Sequence, residues 1–104
     1  MAYTIERMFS PKDPGEIVKL GFDFGETADP LLSATVTMTR VGGKADANPS
    51  AMILGSANVV GTKAIQRVQS GIHGTDYEAR CEAITVSEII VMVGGLQVRT
   101  KRSV

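Results

Sequence analysis

Tryptophan is absent from this 104-residue sequence, tyrosine occurs twice and phenylalanine three times. A core built from it must therefore be aliphatic, packed by Val, Ile, Leu, Met and Ala. A single cysteine, Cys81, excludes an internal disulfide and any cysteine-based zinc cluster, and fits a reducing compartment. No apolar run approaches the roughly 20 residues of a membrane-spanning helix, and Met1 to Phe9 lack the basic and apolar regions of a signal peptide. The expectation is a chain that stays soluble where it is made. Charge of one sign is also missing, since 11 Lys and Arg balance 11 Asp and Glu. Without a dense basic face, nucleic acid is not expected as a partner, and neither is a membrane. No stretch offers ten residues of helical periodicity with caps at both ends.

What is present alternates. Tyr77, Ala79, Cys81 and Ala83 fall on one face of a period of two and Glu78, Arg80 and Glu82 on the other, the spacing of a half-buried strand over residues 77–85. Ala34 to Val41 interleaves β-branched residues in the same way. Val18, Leu20, Phe22 and Phe24 predict an earlier strand, and residues 63–70 another. Met52-Ile53-Leu54 and Asn58-Val59-Val60 suit a short strand or an irregular crossing. Ile89 to Val93 reads as a buried strand continuing to Arg99, with Gly94-Gly95 predicting a bulge that shifts its phase. Val86-Ser87-Glu88 can carry the hairpin before it. Turn-formers at Ser10 to Gly15, Gly25 to Pro30, Gly42 to Ser50 and Gly71 to Asp76 separate these runs.

At this length one domain is expected, burying roughly 65% of the surface of its unfolded chain. The reading is an all-β sandwich over residues 10–99, of about six to seven antiparallel strands, with flexible arms at 1–9 and 100–104.

Candidate chemistry is sparse, and no catalytic, cofactor-binding or metal-binding residue is assigned. His73 lies in a glycine-flanked turn, and Cys81 faces inward among small residues. Glu78 and Glu82 point the same way about 13 Å apart, too far for a hydrolytic carboxylate pair and suited to a solvated face. Asp13, Asp23, Glu26 and Asp29 match no calcium-loop spacing. Gly42-Gly43-Lys44 lacks the flanking residues of a phosphate loop, and proline within Asn48-Pro49-Ser50 cancels a glycosylation acceptor. Arg99-Thr100-Lys101-Arg102 reads as a solvated basic tail. Residues 1–52 carry five bases against seven acids and residues 53–104 six against four. That split is either noise or the mark of a head-to-tail assembly.

Two segments carry a resemblance. Phe9-Ser10-Pro11-Lys12-Asp13-Pro14-Gly15-Glu16-Ile17, continuing to Asp23-Phe24, resembles the opening of the small fibre-tail adaptor proteins of tailed phages. Ser70-Gly71-Ile72-His73-Gly74-Thr75-Asp76-Tyr77 resembles their glycine-rich turn that ends in a tyrosine and enters a long strand. The resemblance implies an immunoglobulin-like β-sandwich in the virion, made in the bacterial host cytoplasm. It would stand in several copies at the head-tail junction or tail, a homo-oligomeric ring joining fibres or neighbouring virion proteins. It implies no enzymatic activity and no cofactor. Capsid decoration, or a free-standing adhesin or carbohydrate-binding module using Tyr3 and Tyr77, are the competing expectations.

Overall fold

In the computed structural model, residues 7–25 and 29–101 are described. Their strands are β1 (Arg7–Met8), β2 (Val18–Asp23), β3 (Ser33–Gly43), β4 (Ile53–Val60), β5 (Lys63–Val68), β6 (Thr75–Ile84) and β7 (Ile89–Val98), with one 3-10 turn at Pro49–Met52. Six antiparallel strands form two three-stranded sheets, β2-β5-β4 facing β3-β6-β7, and the short β1 joins the second sheet by lying parallel to β7. This connectivity is that of strands B-E-D over C-F-G in immunoglobulin-type sandwiches. The expected all-β sandwich is the fold, with six antiparallel strands and the short β1 added in parallel.

The alternation in the sequence is what closes the sandwich. Tyr77, Ala79, Cys81 and Ala83 of β6 are buried and meet Leu20, Phe22, Ala64 and Val68 of the facing sheet in one core. A β-branched, threonine-rich β3 pairs with β6 along ten positions, turning Val36 and Met38 inward and Thr35, Thr37 and Thr39 outward. Sequence pattern and burial agree because a slip of one residue would send every inward side chain to water. The β6–β7 hairpin is closed by Thr85 instead of an Asn-Gly pair. Its hydroxyl accepts from the backbone N–H of Ser87 (3.3 Å) and Glu88 (3.0 Å).

Three sequence expectations need correction. Met52 to Val60 does not break in two: β4 is one strand whose register with β5 shifts between Leu54 and Asn58, so Gly55-Ser56-Ala57 is a bulge. The amide of buried Gln66 donates to the carbonyls of Leu54 and Gly55 there, supplying bonds that the irregular ladder lacks. Gly94-Gly95, in contrast, is not a bulge. The β6–β7 register runs unbroken from Thr75↔Val98 to Ile84↔Ile89, with Ala79 opposite Gly94. Glycine stands at 94 because the Phe9 ring lies where a side chain would be: a Cβ there would come within 2.5 Å of the ring. Phe9 in turn meets Phe22 edge-on, at 5.5 Å between centroids, so a residue assigned to the arm belongs to the core's edge.

The third correction concerns the ends. Beyond Arg7–Met8, the chain keeps company with β7 through Phe9 N–H to the Gly95 carbonyl, Lys12 N–H to Gln97 and Arg99 N–H to the Lys12 carbonyl, each 2.9 Å. Residues 8 to 12 span one more position than 95 to 98. Pro11, which has no N–H to lose, sits in the slack. At the other end Thr100 and Lys101 are tied to the fold, as detailed below. The remainder of both predicted arms, 1–6 and 102–104, lies outside the described residues.

Candidate functional site: a locked corner and two charged faces

The turn-formers Lys12 to Glu16 build a corner that joins three parts of the chain. Lys12 is fully buried, and its ammonium donates to the carbonyls of Asp13 (2.9 Å) and Ser70 (2.7 Å). Burial pushes its pKa down, against the upward pull of the Glu16 and Asp13 carboxylates. Asp13 accepts from the backbone N–H of Gly15 and of Lys101, both 2.7 Å. Glu16 accepts from the Asp13 N–H (2.8 Å) and pairs with the Lys101 ammonium (3.1 Å). Ser70, held at φ 56°, presents its carbonyl to Lys12. The two segments that carry the phage resemblance therefore meet in space.

A second lock lies alongside. Tyr77, at the start of β6 and 1% exposed, receives the Ile72 N–H at 3.1 Å and donates its hydroxyl to Asp46 at 2.7 Å. This is the tyrosine corner of immunoglobulin-type sandwiches, in which a tyrosine entering the sixth strand fastens the preceding loop. Burial, reinforced by the Asp46 carboxylate, pushes the phenol pKa up.

The Lys12 corner contributes to acid stability. The Lys101 N–H bond holds Asp13 below its ordinary pKa of 3.8, and the Asp13 N–H bond holds Glu16 below 4.5. Depressed carboxylates favour the fold above their ordinary values and lose that contribution as pH falls through the depressed ones. The midpoint of thermal unfolding, followed by circular dichroism, is expected to begin falling below about pH 4.5. Asp13→Asn combined with Glu16→Gln should flatten that limb. Lys12 acts in the same sense on the alkaline side: the folded form holds its proton more weakly, so its contribution improves as pH rises toward 10.5.

The residues weighed for chemistry are dispersed. His73 uses Nδ1 to accept the Thr100 N–H at 2.9 Å. Asp23 accepts from the Gly25 N–H, Asp29 from the Ser87 hydroxyl, and Asp13 belongs to the corner; Glu26 lies outside the described residues. Among the described residues no group of three or more His, Cys, Asp or Glu is placed to hold a metal ion. Gly42-Gly43-Lys44 ends β3, where the Lys44 N–H meets the Gly74 carbonyl. The basic tail is docked: Arg99 reaches Asp76 at 2.8 Å, and Lys101 reaches Glu16.

Burial raises the Cys81 thiol to about 11. Almost no thiolate then forms at neutral pH. A thiol reagent such as Ellman's is expected to label native protein at pH 8 only as fast as the protein unfolds, and labelling at the rate of a free thiol would contradict the buried placement.

Among the described residues, clefts of about 220, 250 and 270 Å³ indent the surface. Each of these is smaller than the ~300 Å³ at which ligand sites begin.

What remains is surface, and it is patterned. On the outer face of β3-β6-β7, the middle strand β6 presents Asp76, Glu78, Arg80 and Glu82. Beside them β7 presents Ile89, Val91 and Val93, of which Ile89 is 65% and Val91 44% exposed. On the outer face of β2-β5-β4, the middle strand β5 presents Lys63, Ile65 and Arg67, flanked by Lys19 and Asp23 of β2. No protein-family model and no curated protein sequence matches the chain.

Sequence reading missed both the corner and the apolar column. A lysine among prolines and glycines reads as solvated, and nothing local announces its burial. The column was hidden by reading Gly94-Gly95 as a phase shift, which would have turned Ile89 and Val91 inward. The tyrosine lock did have a signal: a lone tyrosine opening a strand of small inward residues.

Proposed function

We propose that this chain is a non-enzymatic structural protein of a tailed-phage virion, an adaptor at the head-tail junction or tail that links fibres or neighbouring virion proteins. The observation that carries this reading is the hydrogen bond from Lys12 to the Ser70 carbonyl. It joins the Lys-Asp-Pro opening and the glycine-rich turn, the two motifs that resemble fibre-tail adaptors, into one unit. Isolated turn motifs recur by chance; two that lock each other behave as one larger motif. The patterned outer faces suit a domain that works by contact.

Mass spectrometry of purified particles produced from the genome that encodes the chain tests this directly. The expected result is the protein in intact particles at six or twelve copies, as in a tail ring. Its absence from particles would overturn the proposal, and hundreds of copies would place it on the capsid shell instead.

A further inference from the structure

We infer that the outer faces of the two sheets are complementary halves of a head-to-tail contact between copies of this chain, with β6 of one copy stacked on β5 of the next. This rests on the reading of the chain as an assembling structural domain and names its partner surface.

The match is one of spacing as well as sign. Glu78 and Glu82 leave β6 on the same side, four residues apart, and Lys63 and Arg67 leave β5 on the same side, also four residues apart. At a strand rise of about 3.3 Å both pairs span roughly 13 Å. Each pair stands on the central strand of its sheet, so stacking one face on the other with the central strands aligned brings two carboxylates over two cations whether the strands run parallel or antiparallel. Arg80, between the carboxylates and 3.8 Å from Glu82, faces the level of Ile65, where the opposite sheet carries no charge on β5. The same faces repel their own kind, which disfavours a two-fold dimer. A contact between unlike patches propagates into a ring or a filament.

Beside the charges, Ile89 and Val91 supply apolar area on one face, and exposed Val60, at the level of Lys63, supplies it on the other. Three strands of this length make a face of roughly 400 Å². A pair of faces then buries on the order of 800 Å², the size of a weak contact rather than an obligate one. Ring closure strengthens such contacts through multivalency. Copies should therefore associate weakly in solution, and salt should dissociate them because screening weakens the attraction between faces of opposite charge.

Sedimentation velocity on the purified protein tests the contact. At about 20 mM salt the weight-average mass of wild type should climb with concentration, and at about 500 mM it should fall to that of the monomer. Glu78→Lys with Glu82→Lys makes both faces basic, and Lys63→Glu with Arg67→Glu makes both acidic. Each double variant alone should be monomeric, and an equimolar mixture of the two should associate again. All four positions point to solvent, and circular dichroism checks that both variants fold. Wild type monomeric at low salt would overturn the contact, as would variants that associate as wild type does or a mixture that stays monomeric. None of those outcomes bears on virion membership, which particle composition decides separately.

Discussion

Replacing Lys12 with alanine should destabilise the protein by about 3–5 kcal/mol, measured by urea unfolding. Two losses combine. The four-carbon stem fills fully buried space, and truncating a buried side chain of that size costs about 2–5 kcal/mol. The Ser70 and Asp13 carbonyls also lose a donor inside the fold, at about 1–3 kcal/mol for a buried group left unsatisfied. Opposing both is the cost of keeping an ammonium out of water, the same cost that lowers its pKa. Lys12→Met separates the contributions. It restores the stem without the donor and should recover most of the packing loss, leaving a deficit of about 1–3 kcal/mol. A Lys12→Ala variant as stable as wild type would mean that the corner does not hold the 70 loop.

Gly43→Ala should cost about 3 kcal/mol or more, for reasons that do not involve burial. Gly43 closes the β3–β6 pairing opposite Thr75 at φ +75°, a conformation that costs an L residue roughly 1–2 kcal/mol. A methyl group there would also overlap the Gly74 carbonyl oxygen. That oxygen is a backbone atom, already bound by the Lys44 N–H, and cannot swing aside as a side chain would. Relief requires opening the end of the β3–β6 ladder. The thermal midpoint should fall by more than 10 °C on the usual scale of ~4–8 °C per kcal/mol for a domain near this size. Gly61→Ala is the internal comparison. It shares a positive φ of 62° but has open space where the methyl would go. Its cost should stay near 1 kcal/mol.

Legibility in the sequence followed the range of the interactions. The strand from Thr75 to Ile84 could be read from residues 77–85 because one face is small and apolar and the other charged, so period two survives in the letters. In β7 both faces near Ile89 to Val93 are apolar, which erases the period and left two glycines as the only visible marker. The cause of the first, Gly94, is the ring of Phe9, 85 positions away. Lys12 was opaque for the same reason, since its carbonyl acceptor on Ser70 lies 58 residues on. The division of charge between the halves of the chain also pointed elsewhere. The opposed signs lie on the two faces of the sandwich, and a face draws its strands from both halves.

The parallel course of residues 7–12 along β7 gives the domain a mechanical character. Tension applied through the segments leading out of residue 7 and residue 101 pulls these neighbouring strands in opposite directions along their length. The three bonds at Phe9, Lys12 and Arg99 are then loaded together in shear, whereas a hairpin pulled from its open end releases its bonds one at a time. The Lys12 ammonium and the Asp13 and Glu16 carboxylates sit across the same line of force and clamp its far end. Resistance to pulling is governed by the rate of unfolding and not by equilibrium stability. A fold closed in this way carries load along its own axis.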